Sequence, residues 1–222
     1  MVTLVGGGPC ACTHAARSLS PIRFAAPNLR HRSSRVDAFS YLSILLSIII
    51  GLGLTQILTA LGRIIRHRDH VGTDWLPLLW AVVLLLIYVQ VWWSMFGLRH
   101  VSEWTFAAFA AVLAQTGTLY LMAAVVLPEQ VADQPVDLRT YYHQHHRWFF
   151  GFLLATLVIS VIKDVIVTGR LPGGVNLGFH IFLAATSASA LLIRRRRYQE
   201  VVGVVSGGAF VAYVALLFAR LG

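Results

Sequence analysis

The chain is poor in cysteine, lysine and acidic residues, and each shortage excludes a class of protein. Its two cysteines, Cys10 and Cys12, lie near the N-terminus, so the remaining sequence has no thiol for a disulfide framework, an iron–sulfur site or a nucleophile. Only 12% of the 222 residues are charged, whereas a soluble domain has about 25%. No phosphate-binding Gly-rich loop, serine nucleophile elbow or zincin motif is present. The sequence therefore favours no enzyme class and predicts no cofactor.

Long apolar runs dominate what is present. Residues 41–62 form an uncharged stretch of 22 residues, which as a helix spans about 33 Å and matches a hydrocarbon core of about 30 Å. Five similar segments follow, at about 75–98, 104–127, 148–168, 175–193 and 201–221. The sequence therefore predicts an all-α fold over residues 37–222, a polytopic bundle of six transmembrane helices whose first partner is the lipid bilayer.

Residues 1–36 differ from the rest of the chain because they are rich in Arg, Ser, Gly and Pro and contain no acidic residue. Three interpretations are open: a translation start that truly lies near Val36, an organellar transit peptide, or a disordered tail. The late start is favoured, and we expect residues 1–35 to be disordered or absent from the mature protein.

The formal charge of +9 comes from arginines at the segment ends, where they contact lipid headgroups and set orientation. This placement predicts no nucleic-acid partner. When the N-terminal tail is left out, the loops after the first, third and fifth segments carry nine arginines, against four basic residues on the opposite side. The positive-inside rule then places Arg194 to Arg197 inside and both termini outside. A bacterial inner membrane is the expected location, with an organellar membrane as the alternative.

Small residues recur every four positions along the first segment, at Ser43, Ser47, Gly51 and Thr55. This spacing places them on one ridge of a helix, where small side chains let a second helix approach closely. The pattern predicts a helix-packing face, and the alternative is a polar ridge that lines a solute path. A homo-oligomer or a membrane partner subunit is a further possibility for such a face.

Several polar residues interrupt the apolar segments. Lys163 and Asp164 are the strongest functional candidates, because a charge near the bilayer centre costs at least about 2.5 kcal/mol. Neighbours on a helix point about 100° apart, so we expect that they do not simply pair with each other. Interfacial anchoring and a proton- or cation-coupled site are both open. The other polar intramembrane candidates are Gln56, Gln90, Gln115 and His180.

The chain has one local histidine cluster, His143, His145 and His146, which the apolar pattern places in the loop before the fourth segment. Imidazole binds zinc or copper, but no cysteine and no His-Glu-x-x-His frame supports these residues. They are weak metal candidates, and a solvated cluster facing headgroups is favoured. Bis-histidine haem ligation at His180 would need a facing histidine such as His100.

The stretch Asp37-Ala38-Phe39-Ser40-Tyr41-Leu42-Ser43 resembles the start of the first helix in a group of bacterial multi-pass membrane proteins. Gly51-Leu52-Gly53, Trp92-Trp93 and Phe96-Gly97-Leu98-Arg99 extend the resemblance, which covers about residues 36–165. It implies a membrane fold and a start near Val36, and it implies no activity and no site residues.

The polar residues within apolar spans favour a small transporter or channel subunit for an ion or small solute. A non-catalytic membrane partner or scaffold subunit is the alternative, because helix packing alone also explains small-residue ridges. An intramembrane redox protein is the third possibility.

Overall fold

The computed structural model describes residues 38–68, 71–72, 74–99, 101, 104–129 and 136–219. Within these ranges the chain forms six helices and two two-residue strands. In chain order they are α1 (Ala38–Arg66), β1 (Val71–Gly72), α2 (Trp75–Leu98), α3 (Phe106–Val126), β2 (Val136–Asp137), α4 (Leu138–Thr168), α5 (Gly174–Leu192) and α6 (Arg196–Ala219). All six helices are long and apolar enough to cross a membrane, so the predicted all-α membrane bundle is confirmed. The predictions for residues 1–36 lie outside the described residues.

Helix α2 contacts four other helices of the bundle, α1, α3, α4 and α6. Its sequence is apolar on all sides, as expected of a helix surrounded by other helices and lipid. Leu84 and Tyr88 are fully buried, and the Trp80 ring lies 5.2 Å from the rings of both Phe149 and Phe150. This aromatic group fixes α2 against α4.

The other helices follow one another in a fixed order. The most extensive contact joins α3 to α4, while α1 flanks α3 and α5 flanks α4. Helix α6 closes the arrangement by packing on both α5 and α2. Gly203 and Gly207 allow its close approach to α2, because a Cβ at these positions would lie 2.8 Å from Leu76 Cδ1 and 3.1 Å from Val83 Cγ2 respectively.

Helix α1 packs through one apolar face, which contains the buried residues Leu42, Leu46, Ile50 and Ile57. Gly53 lies on this face against α2. A Cβ at Gly53 would overlap the hydroxyl of Tyr88, so only glycine fits there without displacing a fully buried ring.

One end of the bundle, here called the arginine end, collects the basic ends of the helices. The loops before α2 and before α4 meet there, because β1 and β2 pair in parallel, with Val71 opposite Val136 and Gly72 opposite Asp137. Asp137 also caps α4: its carboxylate accepts hydrogen bonds from the backbone N–H groups of Arg139 and Thr140, each at 3.2 Å.

Helix α4 is longer than the sequence analysis predicted. It begins at Leu138 rather than at residue 148, so the three histidines lie within its first turns and not in a loop. The prediction was wrong because it followed apolarity, and the nine residues that follow Leu138 in the helix are polar or aromatic. At 31 residues α4 is about 46 Å long, which exceeds the hydrocarbon core. Helix α6 likewise begins earlier, at Arg196.

One buried polar side chain at the arginine end, Gln199, forms three hydrogen bonds. Gln199 is fully buried, and its Oε1 accepts from the Tyr142 hydroxyl at 2.9 Å. Its Nε2 donates to the carbonyl oxygens of Ala190 at 2.8 Å and Ile193 at 2.7 Å. This side chain therefore ties α4, the end of α5 and the start of α6 together.

An ion-pair network fastens α6 to α2 beside Gln199. The guanidinium of Arg196 lies 3.1 Å from the carboxylate of the buried Asp74, and its Nε lies 2.7 Å from Glu200 Oε1. Asp74 also accepts a hydrogen bond from Leu76 N at 3.3 Å and so caps α2. These contacts hold α6 and the start of α2 together at the arginine end.

Candidate functional site

A polar cavity of about 240 Å³ lies among α2, α3, α4, α5 and α6, toward the end opposite the arginine end. Five of the six polar intramembrane residues singled out from the sequence line it. They are Gln90, Gln115, Lys163, Asp164 and His180. The sixth, Gln56, lies in a separate groove between α1 and α3. The fold therefore brings together side chains from four helices that the sequence alone could not relate to one another.

Lys163 and Asp164 form an ion pair at one end of the cavity. Lys163 Nζ lies 3.4 Å from Asp164 Oδ1, and the two side chains are 13% and 28% exposed. The prediction that these neighbours do not pair was wrong. Lysine has a long flexible stem, which lets the ammonium group bend back across the 100° between the two side chains. The pair keeps the local charge near zero, and both partners still face the cavity.

His180 links α5 to α4 across the cavity wall. Its Nδ1 lies 2.8 Å from the carbonyl oxygen of Asn176, which can only accept, so Nδ1 carries the hydrogen. In the neutral imidazole, Nε2 then accepts from the Ser160 hydroxyl at 3.3 Å. The ring is thus a hydrogen-bonded interhelical histidine. His100, the facing histidine required for haem ligation, lies outside the described residues.

Helix α6 contributes an aromatic wall that is also polar. The Tyr213 hydroxyl donates to Asn176 Oδ1 at 3.0 Å, and the Tyr213 ring stacks on Phe179 with 4.1 Å between centroids. Both rings line the cavity. A flat aromatic surface beside a charged pair offers apolar contact to one part of a ligand and hydrogen bonds to another.

The amides of the two glutamines in the cavity make no hydrogen bond to a described residue. Gln115 is only 7% exposed, yet its amide makes no hydrogen bond to any described residue, and the same holds for Gln90. Close by, Thr156 of α4 donates to Thr118 of α3 at 2.9 Å. Because both side chains line the cavity, a molecule there would complete the hydrogen bonds of their amides.

Five polar residues of the site were not predicted from the sequence, namely Ser94, Thr156, Ser160, Asn176 and Tyr213. Three of them carried a readable signal. Thr156, Ser160 and Asp164 recur every four residues along α4, and Asn176 precedes His180 by four on α5. Tyr213 carried none, because a single tyrosine in an apolar helix has many roles.

The histidine cluster lies at the arginine end, away from this cavity. His145 Nδ1 donates to the Tyr141 carbonyl at 3.0 Å and His146 Nδ1 to the His143 carbonyl at 2.9 Å. His146 is buried and His145 stacks on Tyr141, so the three rings do not converge on one point. Among the residues that the structure describes, no group of three or more potential ligands could hold a metal ion.

The small-residue ridge of α1 lies on the outside of the bundle. Ser47, Gly51 and Thr55 are exposed, Ser43 is partly exposed, and a Cβ at Gly51 would meet no atom within 4 Å. Two of the hydroxyls bond to their own helix, Ser43 to the Ser40 carbonyl and Thr55 to the Gly51 carbonyl. The ridge therefore does not pack against the described part of the chain, and a second chain is one partner that its predicted packing role could have.

Comparisons of the chain with protein-family models, with curated proteins and with solved structures find no match. The site must therefore be interpreted from its own geometry. The cavity offers a neutral ion pair, two free amides and an aromatic wall within a membrane bundle. These groups can hold a small polar molecule or a cation, which makes the cavity the candidate functional site.

Proposed function

We propose that this multi-pass membrane protein is a small transporter or channel subunit that moves an ion or small polar solute through the cavity among α2 to α6. The observation that supports it most is the amide of Gln115, which lines the same cavity as Lys163 and Asp164 and makes no hydrogen bond to a described residue. Polar groups inside a membrane bundle are expensive unless they face a partner or a water-filled path.

The proposed roles follow from position. Asp164 would bind a proton or the cationic part of the solute, and Lys163 would balance its charge when the site is empty. Gln90 and Gln115 would bind the solute deeper in the membrane, near the level of Thr156. Thr156 lies about 12 Å along α4 from Asp164. His180 would hold α5 to α4 through Ser160.

The location and orientation belong to the same proposal. The protein would lie in a bacterial inner membrane with the arginine end inside and both termini outside, because arginine-rich loops are retained on the cytoplasmic side. Cysteine labelling at residues of the arginine end, in sealed cells, would test this orientation.

A second candidate is a non-catalytic subunit of a larger membrane assembly, and the exposed ridge at Ser47, Gly51 and Thr55 favours it. Three small residues on a lipid-facing helix fit a contact with another helix. The two candidates differ in whether the cavity or the ridge carries the function.

Ion flux into proteoliposomes tests the leading proposal. The full chain is reconstituted, a potassium diffusion potential is imposed, and internal pH is followed with a dye. We expect flux above empty vesicles, a fall of at least about tenfold in Asp164→Asn, and no change in Asp137→Asn, which alters a carboxylate outside the cavity. Equal flux in wild type and Asp164→Asn would remove Asp164 from the path. No flux above empty vesicles would favour the second candidate.

A further inference from the structure

A second hollow lies on the outer flank of the bundle between α1 and α3, close to the arginine end. It has an inner part of about 300 Å³ and an adjoining outer part of about 500 Å³. Both parts are lined by Thr55, Thr59 and Arg63. Arg66 lines the outer part, and Gln56 and Glu129 line the inner part. We propose that this α1–α3 groove binds the headgroup of a phospholipid that carries a single negative charge.

The charges of the groove fit such a headgroup. Arg63 and Arg66 are three residues apart and so lie on one face of α1. A guanidinium nitrogen of Arg63 donates to the carbonyl oxygen of Glu129, which fixes the side chain at the groove and leaves its other N–H groups available. Among the residues that the structure describes, the charged side chains lining the two parts are Arg63, Arg66 and Glu129, and their charges sum to +1. One phosphodiester neutralises that charge, whereas a headgroup with several charges would not be matched.

The polar residues follow the order of groups in a phospholipid. One turn of α1 below Arg63, toward the bilayer centre, lies the Thr59 hydroxyl, followed by the Gln56 amide. Neither side chain makes a hydrogen bond to a described residue. Both can donate to the ester carbonyls that lie just below the phosphate of a lipid. Beyond them, the exposed side chain of Leu52 offers an apolar surface to an acyl chain.

A second copy of the chain fits this groove less well. Closed dimers are two-fold symmetric, and in a membrane the axis would run along the bilayer normal. The same end of each α1 would then meet its counterpart, which brings Arg63 and Arg66 against the same two arginines. Like charges at that distance repel, whereas a lipid phosphate between helices attracts both guanidinium groups.

Native mass spectrometry of the full chain, released from detergent micelles with defined lipids, tests the proposal. The probes are phosphatidylglycerol and phosphatidylcholine. We expect one retained phosphatidylglycerol, and a loss of affinity for it of about 30-fold in Arg63→Gln/Arg66→Gln, with little change for phosphatidylcholine. The matched control is Arg139→Gln/Arg147→Gln, which removes two exposed arginines of the same end and should leave binding unchanged. Thr59→Val, a milder change on the outer surface, should lower the affinity for both lipids about threefold.

Four results would overturn the proposal. They are equal affinity for the two lipids, equal losses in both arginine double variants, displacement of the lipid by millimolar inorganic phosphate, and a dimer that replaces the bound lipid. The third would assign a site for a free anion, and the fourth a contact between copies. If the arginine variant does not fold, unchanged binding in Thr59→Val decides against the site. The groove is separate from the cavity, so none of these results bears on the proposed transport.

Discussion

Two buried glutamines, one at the arginine end and one in the cavity, have opposite surroundings. Gln199, at the arginine end, is fully buried and makes three hydrogen bonds that join α4, α5 and α6. Gln115, in the cavity, is 93% buried and makes none to a described residue. The same side chain thus serves as a structural tie in one region and as an open donor and acceptor in the other.

This contrast separates the part of the protein that holds the fold from the part that can hold a ligand. In a low-dielectric interior, a satisfied polar network is rigid, and an unsatisfied group favours any molecule that completes its hydrogen bonds. Stability should therefore depend on Gln199 and its neighbours, and function on Gln115 and its neighbours.

Gln199→Leu should have the largest effect on stability. The change leaves the Tyr142 hydroxyl and two backbone carbonyls without their partner, and each unsatisfied group costs about 1–3 kcal/mol. We expect the free energy of unfolding, measured in mixed detergent micelles, to fall by at least about 2 kcal/mol. Gln144→Leu, at an exposed position of α4, is the control and should change little. A small effect at Gln199 would mean that the arginine end is not the structural end.

Two glycines of α1 show a similar difference within one helix, because one lies at a tight contact and the other faces open space. Gly53→Ala places a methyl group on the Tyr88 hydroxyl and should cost about 1–3 kcal/mol, the usual range for overpacking. Gly51→Ala adds a methyl group in open space and should be neutral or stabilising, because alanine favours a helix more than glycine does. Thermal unfolding of both variants measures the difference. A marked loss in Gly51→Ala would indicate that the ridge packs against a second chain.

Asp137→Asn should have a smaller effect that depends on pH. Hydrogen bonds from the Thr140 hydroxyl and from backbone N–H groups lower the pKa of Asp137 in the folded protein. The ionised cap therefore stabilises α4 above the ordinary carboxyl pKa of about 4, and that contribution is lost as pH falls through the lower folded-state pKa. Hydrogen exchange at Arg139 and Thr140 should be faster in the variant at pH 7, and the difference should vanish in acid. A difference that persists in acid would show that the ionised carboxylate is not its cause.

Gln115→Leu should have the smallest effect on stability. Its amide makes no hydrogen bond to a described residue, so leucine removes a buried polar group without breaking a bond, and we expect a change within about 0.5 kcal/mol. Flux in the proteoliposome assay should nevertheless fall. A stability loss comparable to that of Gln199→Leu would show that Gln115 is also structural and would remove the contrast between the two ends.

The sequence predicted the fold well, because six apolar runs of membrane length leave few alternatives. It also identified five of the ten polar residues that line the cavity, since an amide, a charge or an imidazole within an apolar run is conspicuous. It could not relate Gln90, Gln115, Lys163 and His180 to one another, because helix order in a bundle is set by packing between segments distant in the chain.

Other features were beyond a reading of apolarity. The start of α4 at Leu138 depends on the cap at Asp137, and the tie at Gln199 depends on contacts with α4 and α5. On α1 the sequence recognised a ridge of small residues, but the larger face with Gly53 is the one that packs against Tyr88. Periodicity shows that a helix has two faces, and only the neighbouring helices determine which is inside.

The short ladder between β1 and β2 also has a meaning for biosynthesis. It joins residues far apart in the chain, Val71 and Gly72 with Val136 and Asp137, and the two transmembrane helices α2 and α3 lie between them. Its hydrogen bonds can form only after both helices have entered the membrane and the chain has returned to the same side. The entropy cost of closing this loop is therefore compensated by these bonds only at a late stage. Asp137 also caps the start of α4. The ladder can therefore form once α1 to α3, the first half of the protein, are in the membrane, at the point where the second half begins.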